Sequence, residues 1–145
     1  MLSDLKTPLV IGHRGDTAHA PENTLSAFRM AADKGADAVE FDVKLTADQQ
    51  VIAIHDQSVD RTTNGHGQVS KMKFADLRTL HAGARYNGRF PGERIPTLDE
   101  IFEEVGTRLH MNVELTNYAT PGDLLVQKVV EVFHSRFPVS CLNRR

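Results

Sequence analysis

The sequence is poor in several things, and each shortage excludes something. It has one cysteine, Cys141, among 145 residues, so no disulfide closes within the chain. That suits a reducing cytoplasm, with Cys141 as a small apolar packing residue. No apolar run approaches the 18 or so residues of a membrane span. The opening "MLSDLKTPLV" has no hydrophobic core of a signal peptide. Charge of one sign is also lacking: 17 Lys and Arg face 19 Asp and Glu, for a formal net of −2. Neither nucleic acid nor an anionic membrane surface is the default partner of such a chain. There is no internal repeat and no low-complexity segment. The stretch "GHGQVSK" at 65–71 lacks the spacing and the strand–turn–helix setting of a P-loop.

What remains is ordinary for a globular protein: 40% hydrophobic and 25% charged residues with a mean hydropathy of −0.34. The length suits one domain. Four apolar runs read as strands: "LVIGHRG" (9–15), "ADAVEFDV" (36–43), "VIAIHD" (51–56) and "HMNVELT" (110–116). Runs this continuous suit strands buried on both faces, as in a parallel sheet. Each carries its polar residues towards the C-terminal end, where parallel α/β folds build their sites.

Helices are predicted between them. "PENTLSAFRMAADKGAD" has Asn23 or Thr24 as cap, a Leu25/Phe28/Ala31/Ala32 stripe and Gly35 as stop. "TLDEIFEEVGTR" pairs Thr97 with Glu100 in a capping box and ends at Gly106. "TPGDLLVQKVVEVFHSRF" turns Leu124, Leu125, Val129, Val132 and Phe133 inwards, and "PVSCLN" begins one more strand. Two segments break the alternation. Only "KLTADQQ" separates the second and third strands, too little for a parallel crossover, so it is either a hairpin or an extended return. Residues 57–96, with one short helix at "KFADLRTLHAG", have the length of a functional lid or cap.

Chemistry gathers at the strand ends. Glu40 and Asp42, two apart on a strand, leave the same face, and Glu114 ends another strand. Carboxylates without cysteine suit a hard ion, Mg²⁺ or Ca²⁺. Spacing alone favours solvated strand ends or ion pairs with nearby arginines. His13 and His55 tip the balance, because two imidazoles at equivalent strand ends can act as base and acid in one reaction. Arg14 adds a fork of donors suited to phosphate. His19, His66, His81, His110 and His134 lack this setting and read as surface or packing residues. An acid/base pair, a divalent metal and a phosphate clamp describe metal-assisted phosphoryl transfer or phosphodiester cleavage.

An ordered set of motifs carries a resemblance: "GHRG" (12–15), "PENT" (21–24), "EFDV" (40–43), "HD" (55–56), "DRTTNG" (60–65), "IPTL" (95–98) and "NVEL" (112–115). In this order the chain resembles the glycerophosphodiester phosphodiesterases, particularly the bacterial cytoplasmic type. The resemblance implies an α/β fold: part of a (β/α)8 TIM barrel of the phosphatidylinositol-phospholipase-C-like type. Residues 1–145 would be its N-terminal part, with 57–96 a small cap insertion. The short crossover would be a barrel unit lacking its helix. It implies His13 and His55 as the acid/base pair, Arg14 on the phosphate, and Glu40, Asp42 and Glu114 as ligands of Mg²⁺ or Ca²⁺. The substrate would be a glycerophosphodiester, cleaved to glycerol 3-phosphate and an alcohol such as choline, ethanolamine or glycerol. The glycerol 2-hydroxyl would attack phosphorus first, giving a cyclic phosphate that water opens. Two departures are visible. Thr116 stands where the family often has lysine, so a point charge near the phosphate is lost. Family barrels run to roughly 230 to 250 residues, so the chain is expected to be truncated near a fifth strand. Such a piece would expose an apolar barrel interior and two sheet edges, and would self-associate. A non-catalytic remnant that binds metal or phosphate, or complements another chain, is the alternative reading.

Overall fold

In a computed structural model, residues 8–86, 88–116 and 122–136 are described. Strands β1 (Ile11–His13), β2 (Ala38–Leu45), β3 (Val51–Ala53) and β4 (His110–Leu115) form one sheet around β2. Helices α1 (Leu25–Asp33), α2 (Phe74–Leu77), α3 (Leu98–Val105) and α4 (Leu125–Arg136) complete the elements. The expected strand at "PVSCLN", with Cys141, lies outside the described residues, as does most of the N-terminal stretch "MLSDLKTPLV".

Local signals set the helix ends. Thr24, not Asn23, caps α1, its Oγ1 accepting from Ala27 N at 3.3 Å. Gly35 follows with φ +81°, a backbone state that glycine enters without steric cost. The capping box of α3 forms as its sequence predicts: Thr97 Oγ1 accepts from Glu100 N, and Glu100 Oε2 accepts from Thr97 N. In α4, Leu125 and Val129 are buried, but Leu124 points outwards at 43% exposure, against expectation. It precedes the helix and so escapes the inward stripe.

Strand β2 pairs in parallel with β1 (Ile11 with Ala38) and with β4 (Ala38 with His110). It pairs antiparallel with β3 (Val43 with Ala53). "KLTADQQ" is therefore a hairpin, which corrects the parallel placement of "VIAIHD" and the barrel unit lacking its helix. Seven residues cannot carry the chain back to the start of the sheet, but they can reverse it. The parallel strands among the described residues are β1, β2 and β4.

Alternation in "AVEFDVKL" splits β2 into two faces. Val39, Phe41, Val43 and Leu45 pack under α1 and α3 with Phe28, Leu98, Ile101 and Val105. The Phe28 and Phe41 rings lie 5.3 Å apart. Burying each such side chain contributes about 2–3 kcal/mol. Glu40, Asp42 and Lys44 project from the opposite face beside Asn112 and Glu114 of β4. Along β2 and β4 that face is polar, so these strands are not apolar on both sides. Ile11 of β1, in register with Ala38, and Ile52 of β3, in register with Lys44, share it as apolar residues. Large exposed apolar residues lie at Leu9–Ile11 and on or beside α4.

Residues 57–96 leave β3 and return to it. Ala53 N donates to Pro96 O at 2.9 Å, and Ile52 bridges to Thr97. Between these ends, a bridge from Ser58 to Gln68, a 3-10 turn at Val69–Lys71 and α2 enclose a small core of Val59, Val69, Leu77 and Ile95 against Ile52 and Ile54. Glu93 reaches back to the first turn of α1, where Ser26 N and Oγ donate to its carboxylate.

Candidate functional site

The site arises where two strands meet end to end on one edge of β2. Arg14 N donates to Glu40 O at 2.8 Å, where β1 ends. Ile54 N donates to Asp42 O at 3.0 Å, where the chain leaving β3 arrives from the opposite direction. Carbonyls 40 and 42 face the same edge, while Val43 O turns to β4 and accepts from Thr116 N at 3.2 Å. The parallel strand and the antiparallel strand thus deliver His13–Arg14 and His55–Asp56 to the same level. No parallel succession is needed to bring both histidine-bearing strand ends to this edge of β2.

The turn after β1 is tightly held. Arg14 has φ +56°, uncommon for a residue other than glycine, and Asn23 has φ +55°. Arg14 O accepts from Asn23 N at 3.0 Å, closing the turn. Gly15 at φ +88° passes so near α1 that a Cβ there would stand 2.6 Å from that of Ala27. Only glycine fits that approach.

Glu40, Asp42 and Glu114 each offer an oxygen within 4.8 Å of the others. Their burial falls from Asp42 (buried) through Glu40 to Glu114 (exposed), so the cluster opens to solvent on the β4 side. Glu40 Oε2 is buried without a hydrogen-bond partner, with His13 Nε2 3.8 Å away. Burial, and then the Asp42 charge, push the Glu40 carboxyl above its ordinary range. An orphaned carboxylate oxygen in a convergent all-oxygen set fits a hard divalent cation, which would satisfy the atom and relieve the repulsion.

Around the carboxylates runs a continuous polar chain. Arg14 Nε lies 3.3 Å from Asp42 Oδ2, and Asn23 Nδ2 donates to the same oxygen at 3.4 Å. Arg14 also pairs with Glu22 at 3.1 Å. Arg61, from the 57–96 segment, forks onto Glu22 at 2.6 and 2.8 Å and onto Asp56 at 2.6 and 3.1 Å. Asp56 Oδ1 lies 2.7 Å from His55 Nδ1, which directs the ring's Nε2 away from the carboxylate. The hydrogen bonds from Arg61, then the one from His55, hold the Asp56 carboxyl down at about 2. Arg61 likewise lowers Glu22. A cavity of about 230 Å³ adjoins Glu22 and Arg61, walled by Thr62, Arg85 and Tyr86.

All six residues singled out from sequence therefore join one polar network. Residues that sequence reasoning passed over hold it in place: Glu22, Asn23, Asp56 and Arg61, all inside the quoted motifs "PENT", "HD" and "DRTTNG". Lys44 was missed too, although its spacing from Asp42 already put it on the carboxylate face. Its Nζ donates at 2.7 Å to both Thr116 O and Thr116 Oγ1. The positive charge missing from position 116 in the sequence is present beside it in space.

The glycerophosphoryl diester phosphodiesterase family model matches residues 13–142. The chain belongs to that family. It is 42% identical over 141 residues to the glycerophosphodiester phosphodiesterase of Caldanaerobacter subterraneus subsp. tengcongensis, covering 93% of this chain and 58% of that protein. Among solved structures, a phosphodiesterase from Oleispira antarctica, in complex with the product sn-glycerol-3-phosphate, superposes with a TM-score of 0.85 at 36% identity. The match covers 90% of this chain and 53% of that one. The glycerophosphodiester phosphodiesterase of Agrobacterium tumefaciens str. C58 matches at 41% identity and a TM-score of 0.72, over 74% and 46% of the two chains. The chain thus spans about half the length of the relatives it matches. It is a mixed α/β fold that follows those phosphodiesterase structures over that half, with an open sheet. No helix among the described residues is long and apolar enough to cross a membrane.

Proposed function

We propose that this chain carries the catalytic half of a metal-dependent glycerophosphodiester phosphodiesterase, releasing glycerol 3-phosphate and an alcohol. The observation that carries the reading is the convergence of Glu40, Asp42 and Glu114 beneath the His13–Arg14 turn, with an oxygen of Glu40 left unpartnered. Glu40, Asp42 and Glu114 would hold Mg²⁺ or Ca²⁺, which supplies Lewis-acid polarisation of a phosphoryl oxygen when bound. Arg14 binds the phosphate with those of its donors that Glu22 does not occupy.

His13 and His55 move the protons. In the first step the substrate's glycerol 2-hydroxyl oxygen bonds to phosphorus and the bond from phosphorus to the headgroup oxygen breaks. One imidazole takes the hydroxyl proton and the other gives a proton to the departing alkoxide. Water then opens the cyclic phosphate with the two roles exchanged. Asp56 fixes the orientation of the His55 ring throughout. The 57–96 segment acts as a cap, and its Arg61 braces both His55 and Arg14. The cavity beside Arg61 is sized for a headgroup alcohol. We assign the cytoplasm as the compartment.

A second reading is favoured by the chain's length relative to its relatives: a remnant that binds metal or phosphate, or completes its barrel with another chain or a second copy. Val10 and Ile11, 60% and 50% exposed, would line such a contact along β1. Release of glycerol 3-phosphate from glycerophosphocholine by the purified chain, with Mg²⁺ or Ca²⁺ against EDTA, separates the two. Metal-dependent release supports the enzyme. Absence of release from soluble, metal-binding protein supports the remnant.

A further inference from the structure

The cavity beside Arg61 touches both halves of the proposed chemistry. Its wall includes Glu22, which Arg14 and Arg61 both bind, and Arg61, which reaches through Asp56 to His55. An alcohol leaving a phosphate held on Arg14 enters this space. Which alcohol it suits depends on the bonds its walls have left to give. Glu22 is committed: Oε1 accepts from Arg14 and Arg61, and Oε2 accepts from Arg61. Arg61 is spent on Glu22 and Asp56. The Asp60 carboxylate is engaged by Ser58, His66 and the Gly67 amide. Its main-chain carbonyl accepts from Arg85 Nη2 at 3.0 Å. Arg85, on the cavity wall, is different. A guanidinium has five donors, and that one bond is all that Arg85 makes among the described residues, with no carboxylate of theirs at ion-pair distance.

Glu22, Asp56 and Asp60 balance Arg14, Arg61 and Arg85, so these groups leave no surplus charge to select by. Selection is local and lies in the free donors of Arg85. A cationic headgroup finds no uncommitted carboxylate on the wall. One ring, Tyr86, does not make an aromatic cage for it. That residue's hydroxyl donates to Ala20 O, and its ring meets Phe90 edge to face. An oxyanion, in contrast, finds the planar fork that carboxylates and phosphates fit best. We infer that the preferred substrate carries an oxyanion, a carboxylate or a phosphate, on its headgroup alcohol, and that Arg85 binds it. This deepens the phosphodiesterase reading above and rests on it.

Matched substrates test it, with the full chain in Mg²⁺ or Ca²⁺. Glycerophosphoserine differs from glycerophosphoethanolamine only by a carboxylate. Glycerophosphoglycerol phosphate differs from glycerophosphoglycerol only by a phosphate. The readout is the ratio of kcat/KM within each pair, which does not depend on how much of a preparation is folded. We expect the parent chain to favour the oxyanion member of at least one pair by about 5- to 20-fold, the worth of a charge-assisted bond at an exposed side chain. The pair that shows the preference identifies the group. Arg85→Met keeps most of the side chain's length and removes the charge, and it should bring that ratio close to one. Arg85→Glu should carry it below one. Parent ratios at or below one in both pairs overturn the proposal, as does a preference that survives Arg85→Met. Turnover of none of the four substrates brings down the phosphodiesterase reading itself and the proposal with it, and that failure is visible before any ratio is taken.

Discussion

The two faces of β2 are made by the same eight residues and do opposite work. Val39, Phe41, Val43 and Leu45 face α1 and α3 and are all buried. Glu40, Asp42 and Lys44 face the other way, where burial comes with charge, an orphaned oxygen and a carboxyl displaced upwards. One face lowers the free energy of the fold. The other gathers the candidate site residues, on a scaffold whose stability comes from the first.

The comparison can be broken most severely at its centre. Replacing His13 with Ala should reduce turnover by about 10²- to 10⁴-fold, the usual worth of a general acid or base. Its melting temperature should stay near the parent value, since 71% of the side chain is exposed. Retained activity would refute the role. Phe41→Ala is the mirror experiment on the apolar face: a loss of about 3–5 kcal/mol in urea unfolding. Glu40→Gln sharpens the contrast by separating the two properties. It removes a charge from a crowded face, so the metal-free protein should melt higher while calorimetry shows Ca²⁺ binding lost. A lower melting temperature would mean that the carboxylate stabilises the fold.

A smaller effect should come from the Arg61 brace. The Asp56 carboxyl is lowered from 3.8 to about 2, so its contribution to stability is complete above its unfolded value and is lost as pH falls through the folded one. Melts of the parent chain should therefore lose stability between pH of about 4 and 2. Arg61→Met should flatten that leg, Arg61 being the principal cause of the shift. The smallest change expected is at a local signal: Thr97→Ala removes one half of the α3 capping box and should cost about 1 kcal/mol.

Much of this was legible in the chain, and the readable parts share a cause. Caps, stops and apolar stripes act over a few residues. Thr97 and Glu100 could be paired on paper because they are three apart. Glu40 and Asp42 could be placed on one face because strand side chains alternate. The family was legible because seven short motifs occur in order. Three readings failed for the opposite reason. Taking "ADAVEFDV" as a strand buried in apolar surroundings on both faces fails because Glu40, Asp42 and, two residues on, Lys44 make its second face polar. "VIAIHD" has the composition of a parallel strand, but hydrogen-bonding direction is set by the hairpin before it. Leu124 was counted into a helix that begins one residue later.

By itself, then, the sequence determined the composition class, the helix caps, the inward faces and the identity of the chemical groups, because each depends on neighbours along the chain. Only the tertiary structure decided that β1 and β3 share one edge of β2 and meet between Glu40 and Asp42. Only it joined Arg61 to Glu22, 39 positions away, and Lys44 to Thr116, 72 positions away. Such pairs are fixed by sheet register and by the return of a forty-residue segment, and residue spacing holds no record of either.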